Sequence, residues 1–222
     1  MPPRARQALP FVALAVTLLV GVPPPPRKFE PFPAEVVAAA PALPDYAGGA
    51  QARVEQQLHS ANTMWGAAFE AAGSKYRAPT LVEQSDGCGS PGVGWAGLYC
   101  PGPEVVIIDI AGHVERHGRV GQALEDIVLG YVVAHEVGHH VQTLRGAPVA
   151  DTQTVRLRRE LQADCLAGVW GKAAGQPLPP MWMYGEDADH GTAEQQVRWL
   201  NAGYRSARPA DCDAVWSTSI SP

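Results

Sequence analysis

The chain has 222 residues, of which 46% are hydrophobic and 18% are charged, and its formal net charge is −5. This composition excludes a disordered or collagen-like chain, and the acidic balance argues against a protein that grips a nucleic-acid backbone, so no nucleic-acid partner is expected. Eleven of the 21 prolines lie before residue 45. A Pro-rich leader of net charge +1 therefore precedes one acidic body, which is long enough to bury the core of a single domain.

The first 22 residues have the pattern of an export signal. Arg4 and Arg6 precede an apolar run at residues 8–22, as a charged n-region precedes an h-region. The run is shorter than the roughly 20 residues that a membrane-spanning helix needs. It is also followed by prolines rather than by a small-x-small cleavage site, so a cleaved signal peptide stays open and an uncleaved signal anchor is favoured.

The leader sets the predicted organisation of the chain and its location. The segments are a signal peptide or signal anchor (residues 1–22), a Pro-rich linker without a fold of its own (23–46), a folded domain (47–212) and a C-terminal tail (213–222). We expect the protein to be extracytoplasmic and held at the membrane by its N-terminal segment, or secreted if that segment is cleaved.

Four cysteines in an exported chain form an even set that allows three disulfide connectivities. We predict that Cys88 pairs with Cys100, which closes a short Gly-rich loop, and that Cys165 pairs with Cys212, which ties the C-terminal end to a helix. The alternative is a zinc cluster, but no two cysteines have the Cys-x-x-Cys spacing.

Hydrophobic periodicity predicts the elements of an α+β fold in the body. An amphipathic helix has its apolar face at residues 54–72 and ends at Gly73. The remaining predicted elements are β-rich segments at 80–83, 98–100 and 105–110, the last two joined as a hairpin, and helices at 122–145, 154–174 and from Thr192 onward. Thr192 and Gln195 form a capping box at the start of the last helix.

The candidate catalytic motif is His-Glu-x-x-His at residues 135–139. Histidines four residues apart lie on one helix face, so the imidazoles of His135 and His139 can reach one metal ion. Glu136 is placed to act as general base toward a water molecule beside that ion. His140 points away from the pair and is expected to pack or to hydrogen-bond. The alternative is a pair of core histidines beside a surface glutamate.

Two imidazoles need a third protein ligand to hold a catalytic zinc ion. The metzincin pattern is excluded, because Gln142 and Arg145 stand where it requires glycine and histidine. Glu160 on the next helix is the candidate third ligand, and Asp164 one turn later is the candidate acceptor for the other ring N–H of a ligand histidine. The alternative is that Glu160 merely pairs with Arg156 and that Asp164 is solvated.

With its flanking segments, the motif resembles a bacterial family, the putative neutral zinc metallopeptidases. The matching stretches, in chain order, are LVEQSDGCGS, LYCPGPEVVIIDI, GYVVAHEVGHHVQ, RRELQADCLAGVWG and HGTAEQQVRWLNAGY. The resemblance implies a membrane-anchored, extracytoplasmic zinc protease. Its fold would be zincin-like, mainly helical, with a small antiparallel or mixed sheet packed on the active-site helix. It also implies His135, His139 and Glu160 as ligands of one zinc ion and Glu136 as the catalytic residue, whereas Gln196 replaces a basic residue common in the family.

The expected activity is that of a metalloendopeptidase, which hydrolyses peptide or protein substrates with a zinc-activated water and Glu136 as the base. His190 is a candidate for stabilising the developing oxyanion, with Tyr131 and Tyr184 as alternatives. We expect the hairpin edge near residues 105–110 to align an extended substrate by strand addition. Two other functions stay open: a cell-envelope zinc amidase that acts on a non-protein amide, and a non-catalytic surface module stabilised by zinc.

Overall fold

The computed structural model describes residues 29–40, 49–82, 88, 96–117, 121–183, 185 and 188–220. The predicted signal or anchor and Tyr184 lie outside these ranges. The helices are α1 (Ala50–Ala71), α2 (Ile110–His117), α3 (Gln122–Leu144), α4 (Gln153–Ala173) and α5 (Ala193–Ser206), and the strands are β1 (Thr80–Val82), β2 (Gly97–Cys100) and β3 (Val105–Ile108). Two 3₁₀ helices cover Met181–Met183 and Pro209–Trp216. The predicted α+β class, mainly helical with a small mixed sheet, is confirmed.

The four long helices form where periodicity predicts them. The apolar face of α1 is buried, and Trp65 at its centre has no exposed surface. α3 and α4 run antiparallel. They approach closely because two glycines of α3 have no side chain at the contact: Gly138 faces the backbone of Ala163 near one end, and Gly130 faces Trp170 near the other. The predicted capping box of Thr192 and Gln195 opens α5. The core therefore lies between α1, α3, α4 and α5.

The sheet has the strand order β1-β3-β2, with β1 parallel and β2 antiparallel to β3. The expectation that residues 105–110 form a sheet edge is wrong, because β3 pairs on both sides and Ile110 already belongs to α2. All four residues of β3 are buried, as expected for a central strand. Among the described strands, the edge that faces α3 is β2.

Helix α2 was not predicted, since its first residue continues the apolar run of β3. Its start is explained by Asp109, whose carboxylate accepts a hydrogen bond from the Gly112 amide and whose carbonyl accepts one from the His113 amide. An aspartate before a helix satisfies amides that have no partner within the helix. Asp109 was therefore a signal for a helix start within the predicted strand.

The structure contains both disulfides in the predicted pairing, Cys88–Cys100 and Cys165–Cys212. The first fastens Cys88 to the end of β2, and the second fastens the C-terminal 3₁₀ helix to α4. Disulfides persist in oxidising compartments, so the pairs indicate an extracytoplasmic location. In the described part of the chain, no helix has the length and apolar character needed to cross a membrane.

Residues 29–40, which we call the N-terminal strap, fall within the predicted linker. They contain no helix or strand, but Phe32 and Val36 are buried in the core. Phe32 packs edge-on against Phe69 of α1 and also contacts Trp65, which explains why a segment without secondary structure is held on the domain. The predicted tail likewise begins inside a 3₁₀ helix, where Val215 is fully buried.

Candidate metal centre

Helices α3 and α4 bring together the three predicted metal ligands. The Nε2 atoms of His135 and His139 each lie 3.0 Å from Oε2 of Glu160. One ligand atom from each residue lies within 4.8 Å of the others. The alternative partner considered for Glu160 is engaged elsewhere, since Arg156 pairs with Asp189 at 2.9 Å. The antiparallel packing of α3 and α4 therefore brings Glu160, which lies 21 residues after His139 in the chain, next to both histidines.

The opposite ring nitrogen of each histidine has a hydrogen-bond acceptor. Nδ1 of His135 lies 3.0 Å from Oδ1 of Asp164, as predicted for that carboxylate. Nδ1 of His139 lies 3.0 Å from Oε1 of Gln142, one turn later on the same helix. An N–H directed to an acceptor at Nδ1 leaves the Nε2 lone pair of each imidazole available to a metal.

This donor set fits zinc. Zinc takes histidine nitrogen and carboxylate oxygen at about 2.0–2.2 Å, so two ligand atoms of a tetrahedral site are about 3.4 Å apart. The separations of 3.0 Å between Glu160 and each imidazole are close to that spacing. With three protein ligands, a fourth position is left for water or substrate, as in catalytic rather than structural zinc sites.

The electrostatics of the cluster favour positive charge at its centre. Burial would raise the pKa of Glu160, but the imidazoles of His139 and His135 hold it well below its ordinary value. Burial opposes protonation of His135, but Asp164 and Glu160 raise its pKa well above the ordinary value. The imidazole of His135 thus lies between two carboxylates, and both favour positive charge there.

Glu136 lies beside the cluster, between α3 and the edge strand β2. Its side chain packs against Gly97, where a Cβ atom would come within 2.8 Å of Oε1. Burial raises the pKa of Glu136, and the nearby His135 and His139 partly offset that rise. A buried carboxyl with a raised pKa has the character of a general base that works near neutral pH.

His190 reaches the same cluster from the loop before α5. Its Nε2 lies 3.4 Å from Oε2 of Glu160, and its ring centroid lies 6.2 Å from that of His135. The loop is held by Gln196, whose side-chain amide donates to the carbonyls of Gly185 and Gly191. Gln196 therefore helps to fix the position of His190, as does Arg156 through its ion pair with Asp189.

Tyr131, the alternative to His190, is placed differently. Its ring packs edge-on against Trp170, and its hydroxyl lies against Gly171 of α4. The hydroxyl is buried between α3 and α4, but Tyr131 also lines the cavity beside His135 and Glu136, so it stays an alternative. Tyr184, the other alternative, lies outside the described residues.

A cavity of about 270 Å³ opens beside the ligands. Gly97 of β2 and Ala96 just before it line the cavity, and the apolar part of its wall is formed by α3, α4, α5 and the 3₁₀ helix at Met181–Met183. His135, Glu136 and His190 also line it. A substrate group bound in the cavity would therefore lie next to both the metal ligands and the candidate base.

Two residues of the site were not predicted. Gln142 was considered only as a departure from the metzincin pattern, although its position three residues after His139 places it on the same helix face. Gln196 was noted only as the replacement for a basic residue. Both side chains are buried and act through hydrogen bonds that cross between segments, which explains why periodicity did not reveal them.

Comparison with known proteins yields a family match and several relatives. The family model described as "putative neutral zinc metallopeptidase" matches residues 37–188. The uncharacterized protein YpfJ of Escherichia coli K12 is 33% identical over 196 residues, which cover 70% of this chain and 68% of YpfJ. The uncharacterized protein Rv2575 of Mycobacterium tuberculosis H37Rv is 28% identical over 175 residues, 60% of each chain. No solved structure matches the chain.

Proposed function

The chain belongs to the putative neutral zinc metallopeptidase family, and on that premise we propose that it is a zinc-dependent endopeptidase acting on peptides or proteins. The observation that carries the proposal is the convergence of His135, His139 and Glu160 beside Glu136, at a cavity that His135 and Glu136 line. The three ligands alone would account only for metal binding. A buried carboxylate next to them, in a cavity open to a substrate, is the additional feature that hydrolysis requires.

His135, His139 and Glu160 would hold one zinc ion. When bound, zinc lowers the pKa of a water molecule toward neutrality and polarises a substrate carbonyl. Glu136 would accept a proton from the attacking water and pass it to the leaving amine. Its contact with Gly97 supports this role, because it leaves the carboxylate little freedom to turn away from the cluster.

The substrate would lie along β2. This strand is one of the two edge strands among the described strands, and its Gly97 borders both the cavity and Glu136. An extended peptide that pairs with an exposed strand edge gains backbone hydrogen bonds without reference to its sequence. Side-chain preference would then come from the cavity.

The N-terminal segment would place the enzyme at the outer face of a membrane. The prolines that follow the apolar run, in place of a small-x-small cleavage site, support an uncleaved anchor, and cleavage of the run would give a secreted form. Both forms agree with the extracytoplasmic location that the disulfides indicate.

Replacement of His190 by alanine is expected to lower kcat on a peptide by about 100-fold, the usual cost of losing one oxyanion donor. Zinc affinity should stay unchanged, because His190 is not part of the three-ligand set. Steady-state kinetics and zinc titration would measure both effects. His59→Ala, at an exposed position of α1, is the matched control. A wild-type kcat in the His190 variant would remove this residue from the mechanism.

The proposed activity itself is tested by metal content and substrate class. We expect one zinc per purified chain, hydrolysis of casein-like peptides, loss of that activity on chelation and recovery on adding zinc back. Elemental analysis and fluorogenic peptides measure these outcomes. Hydrolysis of cell-wall amides without hydrolysis of peptides would overturn the endopeptidase assignment in favour of an amidase. Bound zinc with no hydrolysis of either substrate would indicate a structural module.

A further inference from the structure

A chain of buried polar side chains leads away from the metal ligand His139. Its Nδ1 lies 3.0 Å from Oε1 of Gln142, and Nε2 of Gln142 donates to Oε1 of Gln162 at 3.1 Å. Nε2 of Gln162 then donates to Oδ1 of Asp213 at 3.0 Å. Both glutamines are at least 98% buried, with exposed fractions of 2% and 1%. The hydrogen bonds thus join α3, α4 and the C-terminal 3₁₀ helix through two buried glutamines.

The far end of this chain is held by an ion pair. Arg145 donates from Nη1 and Nη2 to the two carboxylate oxygens of Asp213, at 3.2 and 2.9 Å. The guanidinium is buried under the N-terminal strap, lying 4.2 Å from the ring centroid of Phe32 and donating to the carbonyl of Glu30. Burial raises the pKa of Asp213, and the bidentate ion pair with Arg145 opposes that rise and holds the carboxylate in one orientation.

The carboxylate of Asp213 and the carbonyl of Arg159 together set the direction of the hydrogen bonds between these side chains. An ionised carboxylate only accepts, so Gln162 must present its amide nitrogen to it and its oxygen to Gln142. Gln142 then presents its nitrogen, which also donates to the carbonyl of Arg159 at 2.7 Å. Its oxygen is left to face His139, where it can only accept a hydrogen bond. His139 must therefore carry its proton on Nδ1 and offer the Nε2 lone pair to a metal.

We propose that Asp213 is a positioning residue that acts through Gln162 and Gln142 to hold His139 in the tautomer and orientation that bind the metal. The proposal rests on the proposed zinc site. It assigns a role in metal binding to a residue 74 positions away along the chain and in no contact with the ligand itself. It also gives Arg145 and the N-terminal strap a role, because they hold the Asp213 carboxylate in place.

The test is Asp213→Asn in the full chain. Asparagine can offer Gln162 either an oxygen or an N–H, so residue 213 no longer fixes the orientation of the Gln162 amide. We expect zinc affinity, measured by competition with a chromophoric chelator, to fall by about 10- to 100-fold, as for other groups that orient a metal ligand. In the metal-free protein, nitrogen NMR shifts of His139 should change from the Nδ1–H form toward a mixture of both tautomers.

Asp211→Asn is the matched control. Asp211 lies on the same 3₁₀ helix, is partly exposed and pairs with Arg208, so its replacement should leave zinc affinity within twofold of wild type. Gln162→Met is the second variant, since it interrupts the chain at similar side-chain volume and leaves the ion pair in place. The two changes should be non-additive in zinc affinity, because each breaks the same path.

The outcomes separate this inference from the proposed function. Wild-type affinity and an unchanged His139 tautomer in either folded variant would overturn the inference while leaving the zinc enzyme intact. Additive losses in the double variant would also overturn it, because Asp213 would then act by another route. A wild-type chain that binds no zinc would overturn the proposed function together with this inference. Should Asp213→Asn fail to fold, Gln162→Met alone decides the question by the same two measurements.

Discussion

Replacement of Glu136 by glutamine is expected to lower kcat/KM on a peptide by about 10²–10⁴-fold, the usual contribution of a general base. The change keeps the size of the side chain, so its packing against Gly97 should persist. It removes the group that accepts a proton from the attacking water. Zinc should remain bound at wild-type affinity, since Glu136 is not one of the three ligands. Kinetics and zinc titration on the same sample measure the two effects.

The control for Glu136→Gln is Glu115→Gln, the same chemical change at an exposed position on α2. It should leave both activity and zinc content unchanged. A combined loss of zinc and activity in the Glu136 variant would show that this carboxylate helps to hold the metal. Full activity with zinc retained would contradict the mechanism, and the base would then have to be sought among the other groups that line the cavity.

The parts of the site that follow local rules could be predicted from the sequence. The spacing of His135 and His139 is a property of any α-helix, and it gave the pair directly. Glu160 could be predicted because its helix carries two carboxylates among apolar residues, and such carboxylates need partners. The capping box at Thr192 is equally local.

The parts that depend on which segments meet in space could not be predicted. The run at residues 105–108 is typical of a strand, but its central position follows only from pairing with β1, about 25 residues earlier in the chain. Phe32 lies among prolines, where composition favours a linker, and its burial depends on a groove formed by other segments. Gln162 and Asp213 have no spacing that marks them as partners. Their role depends on the packing of α3, α4 and the C-terminal 3₁₀ helix, which are separate segments of the chain.

Helices α4 and α5 are in backbone contact at two glycines. Gly203 of α5 lies directly against the backbone of Cys165, and a Cβ there would come 2.8 Å from the Cys165 carbonyl carbon and 3.0 Å from the Val169 nitrogen. Gly168 makes the reciprocal contact with the backbone of Leu200. Neither backbone can yield easily, because Cys165 is fully buried and tied by its disulfide to Cys212. The two glycines therefore allow the helices to approach to backbone contact.

Gly203→Ala is expected to destabilise the protein by about 2–3 kcal/mol, the usual cost of overpacking a rigid contact. That corresponds to a fall of about 5–10 °C in Tm, measured by calorimetry on the disulfide-intact protein. The control is Gly66→Ala in α1, where the nearest atom to a new Cβ is Tyr76 Cδ1 at 4.0 Å. There the higher helix propensity of alanine should raise stability by about 0.5–1 kcal/mol. A rise in Tm for Gly203→Ala would contradict this prediction, because α4 and α5 would then be able to move apart without loss of stability. Gln196 of α5, which helps to hold His190 in place, would in that case lie on a helix without rigid support.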